Sequence, residues 1–292
     1  GFNSGAYGNF NWGAGDTLAL SDSHTIATNT LIDAKNAQLL GSATIDTFTV
    51  TDSNALDFTL GSQNLVKFDN VSTVDALGDT DIVTGSNGTD WLLTGTDNQA
   101  TNNGITFDGV ESLVANGGAL QGHSTTDETY TVNNGGSVDV VTTVNLADPS
   151  KVMRVTGLGT VSLQDAEDAV ADSGSFNYLL SSNTNATVQG VTFDGLSVQG
   201  NYGWGASDTL ALSDNHSTLT NTVIDANGAQ LLGSAGVDTF TVTGSNALDF
   251  TLGNQNLVKF NNVSTVDALG DTDIVTGSNS SDWLLTGTDN QA

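Results

Sequence analysis

The chain has 292 residues and a formal net charge of −28, from 33 Asp and Glu against 5 Lys and Arg. A field of that sign repels phosphate, so nucleic acid and anionic membrane surfaces are excluded as partners, while cations are drawn in. Cysteine is absent, so no disulfide staples the fold, and there is no apolar run of the ~18 residues that a helical membrane span needs.

The acidity is skewed. Glu111, Glu128 and Glu167 are the only glutamates, and every other acidic residue is Asp. The short Asp carboxylate bonds to backbone two residues on and favours turns, so most of the acid is expected at corners between short strands. Asp-rich corners also offer the hard oxygen ligands that Ca²⁺ takes. Gly1-Phe2-Asn3-Ser4-Gly5 is neither a start methionine nor a signal peptide, and the chain reads as an excerpt of something longer.

In chain order, the segments 16–20, 46–51, 55–60, 81–84, 90–94, 128–132 and 137–141 are short apolar and Thr-rich runs, mostly alternating, and predict strands. Gly, Asn, Asp and Ser fill the gaps. The segment 163–171 is the one stretch with a helical pattern, and it falls in a looser region, 147–182, expected to be an inserted loop.

One phrase punctuates the whole chain. Val66-Lys67-Phe68-Asp69-Asn70-Val71 reads as strand, tight turn, strand, and returns around Phe107, Val155, Phe193 and Phe260, at steps of 39, 48, 38 and 67. The two shortest steps point to a structural unit of about 19–20 residues counted twice. A longer period overlies this one. Trp12-Gly13-Ala14 recurs as Trp204-Gly205-Ala206, an offset of 204 − 12 = 192 that holds without a gap to Ala100 and Ala292. About four positions in five are identical along it. Residues 1–100 are then the end part of a 192-residue repeat, 101–192 its middle part, and 193–292 the next copy of 1–100.

Short strands at steady intervals, with no long helix, allow two all-β architectures. One is a continuous parallel β-solenoid over 1–292 with rungs of about 20 residues, right-handed because strand twist and crossover sterics favour that hand. The other is a string of β-sandwich modules, which needs a module of about 90–110 residues that the two halves of the repeat do not provide. The solenoid is the expected fold, with Phe68, Phe107, Val155, Phe193 and Phe260 stacked inside it.

Phe107-Asp108-Gly109-Val110-Glu111-Ser112-Leu113, Gly13-Ala14-Gly15-Asp16-Thr17-Leu18 and Gly88-Thr89-Asp90-Trp91-Leu92-Leu93-Thr94-Gly95-Thr96-Asp97 resemble the repeats of giant bacterial surface proteins, the filamentous-haemagglutinin-like and RTX-like adhesins. The resemblance implies an extracellular or cell-surface stalk, fibre or adhesin. The tandem G-G-x-G-x-D nonapeptide that binds Ca²⁺ in each turn of a β-roll is missing from the chain, so a Ca²⁺ in every turn is not implied.

Asp75-Ala76-Leu77-Gly78-Asp79-Thr80-Asp81 and its twin carrying Asp267, Asp271 and Asp273 set three carboxylates around one glycine turn. These six are the candidate Ca²⁺ ligands, against the plainer reading of solvated or turn-bonding Asp; no cofactor is required. No enzyme is expected. Lyase chemistry on acidic sugars needs basic residues, and the chain has only Lys35, Lys67, Lys151, Arg154 and Lys259. Ser21, Asp22 and His24, with His216 in the second copy, are too close in sequence to assume a triad. The Thr-rich segment 47–51 is a good strand before it is a flat binding face, and Trp12, Trp91, Trp204 and Trp283 read as core before sugar platforms. The expected role is a shaft whose partners are further copies of itself, joined covalently or head to tail. The alternative is a module that binds a glycan or a surface.

Overall fold

The computed structural model describes residues 11–21, 23, 24, 26, 30–78, 80–142, 148–195, 201–214, 216, 223–269 and 272–278. Among them the chain is all-β, with one 3₁₀ turn at Pro149–Lys151. It forms two compact units, Gly1–Gly174 with Val188–Leu196, and Ser175–Thr187 with Ser197–Ala292.

The first unit holds two large mixed sheets. The first runs Thr17–Ala19, Gln38–Leu40, Thr73–Asp75, Ile105–Asp108, Ala100–Asn102, Trp91–Leu93, Leu120–Gln121, Thr160–Ser162 and Val191–Asp194. The second runs Ala169–Asp172, Glu128–Val132, Val138–Thr142, Met153–Thr156, Ser112–Val114, Ile82–Thr84, Thr47–Asp52, Ala55–Thr59, Val66–Asp69 and Leu31–Asp33. Followed along the chain, the strands pass from one sheet to the other and back. A single strand in one sheet alternates with either a single strand or a three-stranded antiparallel meander in the other.

The alternation has a local cause. Val66–Asp69, with Phe68 on its buried face, belongs to the second sheet, Asn70 takes a left-handed conformation (φ 53°), and Thr73–Asp75 pairs in the first sheet. The phrase that reads as a tight hairpin is therefore a corner between sheets. Hairpins sit elsewhere, and two of them turn on two residues, at Ser53-Asn54 and Asn103-Gly104. Asn103 (φ 50°) and Gly104 (φ 86°) are both left-handed, which is what the turn matching the right-handed twist of a hairpin demands. Asn54 turns the meander of 47–69 and ties it in place, its Nδ2 donating to Val71 O at 2.9 Å and Gly104 O at 3.2 Å.

The core lies between the two sheets. Phe48 stacks on Phe58 at 4.5 Å within the second sheet, and Phe107 of the first meets Phe48 edge-on at 6.3 Å and Trp91 at 5.7 Å. Tyr130 meets Phe193 in the same way at 6.3 Å. Each such ring removes apolar surface from water worth ~2–3 kcal/mol, and edge-on contacts add to that.

The expectations divide. All five anchors, Phe68, Phe107, Val155, Phe193 and Phe260, are buried. They do not form one column, because Phe68 and Val155 lie in the second sheet and Phe107 and Phe193 in the first. The sheets are not wholly parallel. Parallel steps such as Thr73↔Thr106 and Ile82↔Ser112 alternate with antiparallel meanders such as Leu56↔Phe68. A step of about 20 residues occurs at Thr17↔Gln38, 38 − 17 = 21 positions, but Ser112↔Arg154 spans 154 − 112 = 42. The hairpin pair in each meander lengthens the path between parallel neighbours. The segment 163–171 is not helical: it turns, and Ala169–Asp172 pairs in parallel with Glu128–Val132. The region 147–182 carries four strands.

In the second unit Asn177–Leu180, Thr209–Leu212, Gln230–Leu232 and Thr265–Asp267 pair in parallel in that order. A five-stranded sheet runs Val223–Asp225, Val258–Asn261, Ala247–Thr251, Thr239–Gly244 and Ile274–Thr276. Phe240 on Phe250 at 4.6 Å repeats the stack of the first unit. No helix among the described residues is long and apolar enough to cross a membrane.

Candidate metal centre

Acidic residues stand immediately before strand after strand: Asp46 before Thr47–Asp52, Asp81 before Ile82–Thr84, Glu111 before Ser112–Val114 and Asp168 before Ala169–Asp172. Their carboxylates hold backbone amides in place. Asp46 takes Ser42 N at 2.6 Å and Gly61 N at 2.8 Å; its own N–H donates to Asp81 Oδ1 at 2.7 Å; and Asp81 N donates to Glu111 Oε2 at 3.2 Å. Asp46, Asp81 and Asp168 are buried. Oxygens that accept amides at a sharp corner stabilise it, and leaving those amides without an acceptor is costly. Three of these four corners take the short Asp side chain, in line with the bias against Glu, and Glu111 fills the fourth.

Two such corners converge between 123 and 168. Asp168 accepts Glu128 N at 2.9 Å and the amides of Gln164 and Asp165 at 3.1 Å each. Glu128 accepts His123 N and the Tyr130 hydroxyl, both at 3.2 Å. Burial, reinforced by the Asp168 charge, pushes the Glu128 carboxyl up to about 8. Burial, with Glu128 beside it, holds the Tyr130 hydroxyl well above its usual range. Glu128 Oε1 and Asn98 Oδ1 are buried without a hydrogen-bond partner, and both residues line a cavity of about 10 Å³ together with Asp97, Thr142 and Lys151. That is the room of a single water.

At the outer side of these corners Asp127, Asp165 and Glu167 bring one carboxylate oxygen each within 4.8 Å of one another. Asp127 and Asp165 are half-buried and Glu167 exposed. The hydrogen bond between Asp165 and Glu167 lowers the first carboxyl and raises the second, the Asp165 charge adding to the rise. Three hard oxygens at this spacing could coordinate a divalent cation such as Ca²⁺. Thermal melts at fixed ionic strength test it. The midpoint is expected to rise in millimolar Ca²⁺ over chelator, by an amount set by saturation, ~2.7 kcal/mol at a hundred times Kd. The rise should vanish in the double variant Asp127→Asn, Glu167→Gln, and identical wild-type melts would remove the ion from the account.

The six ligands expected from sequence are placed differently. Asp79 and Asp271 lie outside the described residues. Asp81 and Asp273 stand at strand-start corners, their Oδ1 atoms accepting Asp46 N at 2.7 Å and Asp238 N at 2.9 Å. Asp75 and Asp267 end the preceding strands, where Asp75 is half-buried opposite Asp108 and Asp267 is exposed. Asp127 and Asp165 are far apart in sequence and meet because Thr129 pairs with Ala169, which no local spacing announces.

The remaining candidates have structural partners. His24 sets its ring nitrogens against Ser21 O and Asn64 O, both at 3.0 Å, and His216 repeats this with Ser213 O and Asn256 O at 2.7 and 3.2 Å. Each His pins its loop to a distant one. Arg154 forks onto Asp139 at 2.7 and 2.9 Å, across the antiparallel register that pairs them, and Lys67 lies 3.9 Å from Asp57 in the same way. Trp91 and Trp204 are buried; Trp12 is half-exposed, and Trp283 lies outside the described residues. An open groove of about 500 Å³ is lined by Thr89, Asp90, Leu92, Thr101, Asn103 and Gly104, with no aromatic for a sugar to stack on. Compared with known protein families, curated proteins and solved structures, the chain matches none.

Proposed function

We propose that the chain is a structural segment of a long extracellular or cell-surface shaft, a two-sided right-handed β-solenoid extended by tandem copies of the 192-residue unit, and not an enzyme. The observation that carries the reading is that contacts recur at the sequence offset. Trp12 Nε1 donates to Asp33 O and Trp204 Nε1 to Asp225 O, both at 2.9 Å. Asn70 Nδ2 donates to Asp33 Oδ1 and Asn262 Nδ2 to Asp225 Oδ1, again both at 2.9 Å. Ser42 N reaches Asp46 and Ser234 N reaches Asp238 at 2.6 Å. A catalytic domain gains little from tandem copies, whereas a shaft gains length with each one, because every added unit covers the edge of the last.

Electron microscopy of the native material tests the proposal. The described strands of one 192-residue unit, Thr17–Ala19 to Val191–Asp194, number 21, ten or eleven to a sheet, and at ~4.8 Å per strand they set an expected axial repeat on the order of 50 Å in a thin, unbranched fibre. Compact particles without an axial repeat would sink the reading.

A further inference from the structure

Residues 73–87 and 265–279 are identical in sequence, yet the described parts of the two segments are covered to different extents. In the first copy Thr73–Asp75 is paired on both sides, by Gln38–Leu40 and Ile105–Asp108. Ile82–Thr84 is likewise paired by Thr47–Asp52 and Ser112–Val114. In the second copy Thr265–Asp267 pairs only with Gln230–Leu232, and Ile274–Thr276 only with Thr239–Gly244, among the described residues. Val74 and Val83 are 0% exposed, whereas their twins Val266 and Val275 are 39% and 53% exposed.

We infer that Thr265–Asp267 and Ile274–Thr276 form a docking edge for one kind of occupant: a segment with the sequence of Ile105–Val114 from a further copy of the repeat, bound in parallel. The inference rests on the proposed shaft and names the surface through which one unit would hold the next. The occupant is identified by what covers the same sequence inside this chain. There, Phe107 pairs across from Val74 and Leu113 from Val83. Ala76 N donates to Asp108 O at 3.0 Å, Gly85 N to Val114 O at 2.9 Å, and Asp81 N to the Glu111 carboxylate at 3.2 Å. In the second copy the corresponding donors are the amides of Ala268, Gly277 and Asp273, and the corresponding apolar seats are Val266 and Val275. One ten-residue segment therefore supplies two side chains, two carbonyls and a carboxylate at the spacing this edge presents. An exposed strand edge with a matching apolar row invites such an addition.

The test is hydrogen exchange on the full chain and on the chain extended after Ala292 by a copy of residues 101–192. The amides of Ala268 and Gly277 should exchange close to the unprotected rate in the first and about a hundredfold more slowly in the second. A second extension with Phe107→Asp and Leu113→Asp made in the added copy should give no protection. Three results would overturn the inference: protection already complete in the unextended chain, an added segment that is ordered while Ala268 and Gly277 stay unprotected, or an added segment that is itself unprotected. Failure here is separable from failure of the shaft, because microscopy reads the native fibre whichever strands join its units.

Discussion

Asp46→Ala is expected to cost the first unit about 3–5 kcal/mol in urea unfolding. Asp46 is buried and its two oxygens accept the amides of Ser42 and Gly61, with the Ser42 hydroxyl as a third donor at 3.3 Å. Alanine leaves two backbone N–H groups facing a space that has lost its acceptors, each costing ~1–3 kcal/mol. Asparagine is nearly isosteric and keeps one acceptor, but it turns an NH₂ toward the other donor, so Asp46→Asn should recover less than half of the loss. Asp238 repeats the geometry, with Ser234 N at 2.6 Å and Gly253 N at 3.0 Å, and Asp238→Ala should give the same loss in the second unit. A measured loss below about 1 kcal/mol at either position would mean that water replaces the carboxylate at the corner.

The second large effect is one of pH. The Glu128 carboxyl is raised from 4.5 to about 8 by burial and by the Asp168 charge. Because the folded state binds this proton more tightly than the unfolded chain, the stability it contributes is whole below pH 4.5 and is lost as the pH rises through about 8. Glu128→Gln carries no proton to lose. The variant and the wild type should therefore differ little at pH 4, and the variant should gain on the wild type up to pH 9, by on the order of 2–4 kcal/mol. Urea unfolding of both proteins at pH 4, 6.5 and 9 checks it, and parallel stability curves would refute a neutral carboxyl at this position.

The sequence exposes some of this architecture and hides the rest. Alternation in Val66-Lys67-Phe68 and Ile105-Thr106-Phe107 reveals strands and their buried faces, since period-2 patterning depends only on the pleat. It cannot reveal which neighbour a strand pairs with, so a corner between sheets at Asp69-Asn70 and a hairpin read alike. The antiparallel meanders did leave a signal in Asn103-Gly104, a two-residue turn sequence between apolar runs. Asp at corners was legible from turn chemistry, but the burial of Asp46, Asp168 and Asp238 was not, because it follows from amides that arrive from a neighbouring strand. The cluster of Asp127, Asp165 and Glu167 was out of reach for the same reason.

The meanders also separate two properties that most repeat proteins keep tied together: the phase of the ladder and the length of the chain. The link between the second and third strands of a meander is two residues long at Asn103-Gly104, and spans 143–152 between Val138–Thr142 and Met153–Thr156. In both meanders the third strand hands the chain on to a strand of the opposite sheet that pairs in parallel with its predecessor, Ser112 with Ile82 and Val161 with Leu120. The Asn103-Gly104 tip lies off the ladder, and lengthening such a link costs only a slowly growing loop entropy, ~0.6 kcal/mol per doubling. Insertions and deletions can therefore accumulate at hairpin tips without a slip of register, which would turn every buried side chain outward. The uneven steps between Phe68, Phe107, Val155 and Phe193 are the record of that freedom: spacing in sequence drifts while the seat of each anchor stays inside.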